Sequence, residues 1–347
     1  MINPVTFTDL IGIGQPVPLI DVRTPAEFAH GHIPGAFNIP LFSNEERVKV
    51  GTTYKQVGRE EAILLGFDLT GAKWSGFIKQ ALEIAPGKKI AVHCWRGGMR
   101  SGAMAWALNL YGFEVYLLEG GYKAFRRWAA GQFEVTYKLC ILGGLTGTGK
   151  TKILHEFRSL GEQVIDLEDL AQHQGSSYGS MNKLVQPTQE QFENNLADEL
   201  SKLDRENRVW VEDESLTIGK TCIPNKLWHQ MRAASLVEIR VPTEKRIEYL
   251  ALEYGALDKD FLVECTQRIH KRLGPEQTKN AILAIRENRM EEFVGLALVY
   301  YDKTYKAGLA NREAGQVSAF DITGDDMSLA AQQVLQFVNE NVPACQF

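Results

Sequence analysis

"IAVHCWRGGMRSGAMAWALNLYG", residues 90–112, changes character twice within a short run. Ile90, Ala91 and Val92 are a lead-in suited to a buried strand. Gly97 and Gly98 break it, and apolar residues then recur at helical spacing. Cys94 therefore stands where the carboxyl end of a strand meets the amino end of a helix, the place where open α/β sheets bind ligands. The two glycines let backbone N–H groups turn inward as an anion nest. The helix N-terminus and the guanidinium of Arg96 or Arg100 add positive charge, which lowers a thiol pKa and favours thiolate. Trp95, Met99 and Ser101 complete the loop. The plain alternative is a buried strand-end cysteine beside a glycine turn, and the Gly-Gly-x-Arg-Ser pattern speaks against it.

Working outward, short strand-like runs alternate with helical ones. "PVPLIDVR" (16–23), "KKIAVHC" (88–94) and "FEVYLLEGG" (113–121) read as strands, and "YKAFRRWAAGQ" (122–132) as a closing helix. The polar stretch between Pro40 and Pro86 reads as mainly helical. This alternation predicts an α/β domain with a central, mostly parallel sheet over residues 1–132. A second α/β pattern opens near Tyr137 and predicts a domain over residues 133–347. Its strands are "YKLCILGG", "NRVWVEDES", "SLVEIRVP" and "SAFDITGDD". "EQVIDLEDLA" (162–171) leads into a Ser/Gly-rich loop, "HQGSSYGS" (173–180), and an amphipathic helix follows with Phe192, Leu196, Leu200 and Leu203 on one face. From 243 to about 310 the pattern is helical almost throughout.

The second domain carries its own glycine loop. "GLTGTGKT" (144–151) fits G-x4-G-K-T, follows a buried-strand candidate and precedes a helical run, as a phosphate-binding P-loop requires. Gly144, Gly147 and Gly149 allow the backbone to wrap a phosphate, Lys150 reaches its distal oxygens, and Thr151 is positioned for magnesium. "VWVEDES" (209–215) ends in three acids, among which Asp213 is the candidate Walker B residue. A strand end with solvated acids is the alternative. A nucleoside triphosphate is the usual partner of such a loop, but the same nest would hold a diphosphate from another ligand.

At 347 residues the chain is long enough for two cores. Its net charge of −5 argues against a surface wholly given to nucleic acid, but leaves room for a local basic face. "RIHKRLG" (268–274), "RENR" (286–289) and "YYDKTYKAG" (300–308) are candidates for such a face, or simply solvated helix surfaces. The five cysteines are scattered, which fits neither a disulfide framework nor a zinc site. No membrane-length apolar run or secretory leader is visible, and the expectation is a cytoplasmic protein. His30 and His32, around "GHIPGA", read as structural.

"LIDVRTPAEFAHGHIPGAFNIP" (19–40) and "LLEGGYKAFRRW" (117–128) resemble the rhodanese signature and closing segment. Asp21 and Arg23 would be at an early strand end there, as a functional or a merely structural ion pair. One feature departs from ordinary rhodaneses. The run Cys94-x5-Arg100 has one residue more, the length found in rhodanese-like phosphatases. For phosphatase action, Glu27 and Glu119 are conceivable leaving-group acids, with nothing marking either. A rhodanese domain ahead of "GGLTGTGKT" at this spacing resembles the bacterial tRNA 2-selenouridine synthase family over essentially the whole chain. The resemblance implies a wobble 2-thiouridine in tRNA as substrate and selenophosphate as selenium donor. It also implies an S-geranyl intermediate made from geranyl diphosphate, and a selenophosphate-supplying enzyme as partner. On it we expect Cys94 to attack selenium and carry it as S-selanylcysteine, Arg100 and the nest to hold phosphate, and the P-loop to hold geranyl diphosphate. Two rivals stand beside this reading. One is a rhodanese-fold cysteine phosphatase or sulfurtransferase fused to a nucleotide kinase-like domain. The other is a non-catalytic tRNA-binding module.

Overall fold

A computed structural model describes residues 1–173, 185–310, 312–313, 315–324, 326–342 and 345. The Ser/Gly-rich loop expected at 173–180 lies outside the described residues beyond His173. The chain divides into two compact units, residues 1–132 with 190–198, and residues 133–189 with 199–347.

In the N-terminal unit the order is β1 (Ile2–Val5), α1 (Phe7–Ile11), β2 (Leu19–Asp21), α2 (Pro25–His30) and β3 (Phe37–Asn38). Three helices follow, α3 (Asn44–Gln56), α4 (Arg59–Thr70) and α5 (Trp74–Ile84), in the stretch expected to be helical. Then come β4 (Lys89–His93), α6 (Met99–Leu110), β5 (Glu114–Leu118) and α7 (Gly121–Gln132). The strands form one parallel sheet ordered β1-β5-β4-β2-β3. β4 is central and Ile90, Ala91 and Val92 are buried, so this stretch reads as an apolar run rather than an alternation. β2 leads outward to β3, whereas β4 leads the other way to β5. The crevice beyond the ends of β2 and β4 is therefore a topological switch point, and Arg23 and Cys94 follow those two strands. The sequence reading passes over β1, whose four residues include Pro4. Pro is tolerated there because β1 is an edge strand.

The C-terminal unit begins with β6 (Leu139–Gly143), α8 (Lys150–Ser159), β7 (Gln163–Ile165), α9 (Leu167–Ala171) and α10 (Gln189–Ser201). It continues through β8 (Val209–Glu212), a small hairpin of β9 (Thr217–Ile218) and β10 (Thr221–Cys222), α11 (Asn225–Ala233) and β11 (Ser235–Arg240). The helical run is α12 (Thr243–Gly255), α13 (Lys259–Arg268), α14 (His270–Leu273), α15 (Pro275–Arg286) and α16 (Met290–Leu309), and it builds its own core around Leu262, Ile285 and Phe293. β12 (Val317–Asp321) and α17 (Met327–Asn341) close the unit. Its main sheet is parallel and ordered β12-β11-β6-β8-β7. β6, every residue of which is buried, is the central strand.

Two findings differ from the sequence reading. Residues 190–198, the middle of α10, complete the N-terminal unit through polar contacts. Tyr122 donates to Glu190 at 2.8 Å, Asn194 to the His32 carbonyl at 2.9 Å, and Arg126 to Asn194 at 2.5 Å. Cys140 on β6 and Cys345 are also disulfide-bonded, with Cα atoms 5.9 Å apart. A separation of 205 residues leaves no spacing signal for such a pair; only folding brings the two together.

Candidate functional site

Cys94 is 3% exposed and lines a cavity of about 630 Å³ together with Glu27, Arg47, Arg96, Met99 and Arg100. The loop around it is clamped from the opposite side. Tyr122 N–H donates to the Cys94 carbonyl at 2.9 Å and Lys123 N–H to that of Trp95 at 3.0 Å. The "EGGYK" segment is thus what the loop rests on. Gly97 has φ +69°, and a Cβ there would stand 2.8 Å from the Leu118 carbonyl oxygen, so only glycine fits. Gly98 caps the amino end of α6.

Ser101 Oγ lies 3.2 Å from Cys94 Sγ and 3.1 Å from the Gly98 carbonyl. Burial pushes the Cys94 thiol up, but the Ser101 hydroxyl, the backbone N–H groups of Arg96 and Ser101 and the Arg100 charge outweigh it. The net shift is downward, as the nest argument expects.

Arg100 is held by Glu27, its Nη1 donating at 2.8 Å. Glu27 is itself set by a capping box: Thr24 N–H donates to its carboxylate at 3.0 Å while Glu27 N–H donates to Thr24 Oγ1 at 3.2 Å. Burial raises the Glu27 pKa, yet the Arg100 bond and charge and the Thr24 N–H bring it below the ordinary value. The signal that could have singled Glu27 out was "TPAE", a Thr-x-x-Glu pattern ahead of a helix.

Asp21 and Arg23 form a buried pair with Nη2–Oδ2 2.5 Å. Arg23 also donates to the Gly31 carbonyl at 2.7 Å and lies 3.8 Å from the Tyr122 ring centroid. These contacts brace the scaffold behind the loop. His93 Nδ1 is 3.3 Å from the Cys94 carbonyl, and burial pushes its imidazole pKa down. It steadies the backbone rather than serving the sulfur. His32 Nδ1 is likewise structural, 2.9 Å from the Phe28 carbonyl.

The second glycine loop joins β6 to α8. Gly144, Gly147 and Gly149 all have positive φ, and a Cβ at Gly147 would stand 2.8 Å from Leu250 Cδ1. Lys150 Nζ donates to the Gly144 carbonyl at 3.0 Å, so its charge stays over the loop. Arg246, buried, donates to the Thr146 carbonyl at 2.8 Å and pairs with Asp302 at 2.6 Å. This support, which runs from α12 and α16, has no counterpart in the sequence reading.

Glu168, Glu212 and Glu214 each bring one carboxylate oxygen within 4.8 Å of the others. Glu212 is 1% exposed, and neither oxygen has a hydrogen-bond partner among the described residues. Burial pushes the Glu212 pKa up, with Lys150 pulling the other way. Burial, together with the Glu212 charge, raises Glu214 to about 7 and Glu168 to about 9. The Thr151 hydroxyl faces Glu212 without completing a hydrogen bond. An all-oxygen set of this kind suits a hard divalent cation.

A family profile described as the tRNA 2-selenouridine synthase AAA domain matches residues 137–336, and a rhodanese-like domain profile matches residues 4–127. A tRNA 2-selenouridine synthase of Sulfurovum sp. (strain NBC37-1) is 41% identical over 79% of this chain and 80% of its own. The chain belongs to the tRNA 2-selenouridine synthase family. A second member, from Shewanella frigidimarina, is 32% identical over 85% of this chain and 89% of its own. The match to the Nitrosomonas europaea member is 39% identical and spans 63% of that protein.

Within this family frame, one expected residue is placed differently. Asp213, the candidate Walker B acid, accepts from Arg312 at 2.8 Å and from Arg232 at 3.4 Å. The Arg312 side chain is 1% exposed and that of Asp213 10%. Alternation at the strand end turns 212 and 214 toward the loop and 213 away from it. Glu212 therefore takes the position expected of Asp213.

The basic segments are also sorted by the fold. Arg272 on α14 donates to Tyr300 Oη on α16 at 3.1 Å, which joins the first and third segments. Lys271 and Lys303 beside them are exposed. Arg289 is instead tied to Glu287 and Glu292. No helix among the described residues is long and apolar enough to cross a membrane.

Proposed function

We propose that this chain exchanges the sulfur of wobble 2-thiouridine in tRNA for selenium from selenophosphate, after geranylation of that sulfur by geranyl diphosphate. The observation that carries the reading is the Cys94 cavity. A thiol biased toward thiolate shares it with three guanidinium groups, Arg47, Arg96 and Arg100, in a chain of this family. Forked cations of this kind suit a donor that carries a phosphoryl group. Trp95, Gly97, Gly98, Met99 and Ser101 shape the loop around it.

Geranyl diphosphate is assigned to the nest from Gly144 to Thr151, with Lys150 stabilising the departing diphosphate. None of the steps requires ATP, which favours this ligand over a nucleotide. Glu212, Glu168 and Glu214 with Thr151 would hold a magnesium-class cation, which when bound would neutralise diphosphate charge. Lys271, Arg272, Tyr300 and Lys303 are the proposed tRNA contacts, and an enzyme supplying selenophosphate is the expected partner. The chemistry is coherent. Sulfur in a thiocarbonyl leaves poorly, and alkylation turns it into a thiol that leaves readily.

Mass spectrometry of tRNA nucleosides tests the reading. Geranyl diphosphate alone should yield S-geranyl-thiouridine, and added selenophosphate should convert it to 2-selenouridine. Absence of both products from the full chain overturns the proposal.

A further inference from the structure

We propose that Cys94 attacks the phosphorus of the selenium donor rather than its selenium, so that the site accepts a phosphoryl group and sets selenide free. This deepens the proposed function and rests on selenophosphate being the donor.

The electron count separates the two courses. If thiolate attacks selenium, the S–Se bond forms while the Se–P pair passes to phosphorus, and the product is phosphite. If it attacks phosphorus, the S–P bond forms while the P–Se pair passes to selenium, which departs as hydrogen selenide anion. Water then adds to phosphorus, the S–P pair returns to Cys94, and orthophosphate leaves with a water proton released. The selenide adds to carbon 2 of the S-geranyl base and expels geranylthiol, which takes the selenium-bound proton. No oxidant or reductant is needed at any step.

The site is built for the second course. The loop after Cys94 and the first turn of α6 present the N–H groups of Arg96 and Ser101 toward Sγ, where the oxygens of an attached phosphoryl group would lie. Arg47, Arg96 and Arg100 line the same cavity, and their forks match phosphoryl oxygens, not a bare selenium atom. Ser101 Oγ, 3.2 Å from Sγ, is placed to stabilise the thiolate when S-phosphocysteine breaks down.

Glu27 explains the choice of leaving group. Its carboxylate is locked to Arg100 at 2.8 Å and kept ionised, so it has no proton for a departing oxygen. An alkoxide or phenoxide needs that proton; hydrogen selenide, a far weaker base, does not. The cavity therefore cleaves P–Se bonds and leaves ordinary phosphate esters alone.

The test incubates the full-length protein with selenophosphate without tRNA, denatures it in detergent, and reads the Cys94 peptide and the solution by 31P NMR and mass spectrometry. Phosphoryl and selenium adducts have almost the same mass, so the selenium isotope pattern tells them apart. We expect phosphorus on Cys94, orthophosphate in solution and selenide trapped by an alkylating agent. Ser101→Ala should raise the phosphoryl adduct roughly tenfold or more by slowing its breakdown. A selenium pattern on Cys94 with phosphite in solution overturns the inference. So does the absence of any Cys94 adduct in either protein while tRNA is selenated at the usual rate; the proposed function then stands alone. A phosphoryl adduct without tRNA selenation has the opposite meaning, and neither adduct nor selenation sinks both.

Discussion

The two glycine loops use the same backbone device and surround it with opposite charge. Each follows the central strand of a parallel sheet, turns on glycines and opens a helix, so each offers N–H groups to an anion. At Cys94 the neighbours are cations and a thiol, with one carboxylate committed to holding Arg100. At the P-loop the neighbours are Lys150, Thr151 and three crowded glutamates, with no thiol among the described residues there. The difference teaches that the loop fixes where phosphate sits, while the side chains behind it decide whether a covalent bond forms. On the proposed function, the first site makes one. On the same reading, the second holds a diphosphate and a cation while chemistry happens elsewhere on the ligand.

The comparison breaks most sharply at the nucleophile. Cys94→Ala should lower tRNA selenation by roughly three orders of magnitude or more and leave geranylation intact, as measured on tRNA nucleosides. Loss of both activities together would mean that the two loops do not have separate roles. Lys150→Ala is the mirror experiment. Geranylation should fall about a hundredfold, while selenation of tRNA geranylated beforehand should continue.

A smaller effect sharpens the description of the first site. Glu27→Gln releases Arg100 from its ionic partner and should reduce selenation about tenfold to a hundredfold by misplacing the guanidinium. Restored activity in Glu27→Asp would support positioning. The lowered Cys94 pKa has a directional consequence of its own. Thiolate fraction rises with pH through the pKa, so alkylation of Cys94 should reach half its maximal rate below the pH typical of a free cysteine. Ser101→Ala should move that midpoint upward, and an unshifted midpoint would show that Ser101 does not stabilise the thiolate.

The last test concerns stability at the end of β8. Asp213→Ala leaves the buried Arg312 guanidinium without its carboxylate and should cost about 3 kcal/mol in chemical denaturation. The isosteric Glu212→Gln should cost much less, because Glu212 has no ion-pair partner among the described residues to strand. Equal costs would contradict the separation of a structural Asp213 from a ligand-facing Glu212.

Much of the fold was legible because central parallel strands read as apolar runs and their loops carry glycine. "IAVHC" and "KLCILGG" signal position by composition alone. β1 and the two-residue strands were not legible, since runs so short carry no period. At the first site, the sequence named the thiol, the loop and Arg100 but missed Arg47, which reaches the cavity from α3 at a distance no local pattern encodes. At the second, it named the P-loop, but its candidate acid, Asp213, turns to Arg312 while Glu212 and Glu214 cluster with Glu168. Three acids in a row look alike until the strand end turns alternate side chains to opposite faces.

The sequence by itself determined the two strand–loop–helix junctions and the reactive groups in them, because both depend on residues adjacent in the chain. The tertiary structure decided what those groups face. Arg47, Glu27 and Arg100 gather at Cys94 from three helices, and Glu168 from α9 meets Glu212 and Glu214 from the end of β8 beside Lys150. Charges far apart in sequence become neighbours only when the sheets assemble, and burial together with those neighbours then shifts the pKa of Cys94, Glu27 and the three glutamates.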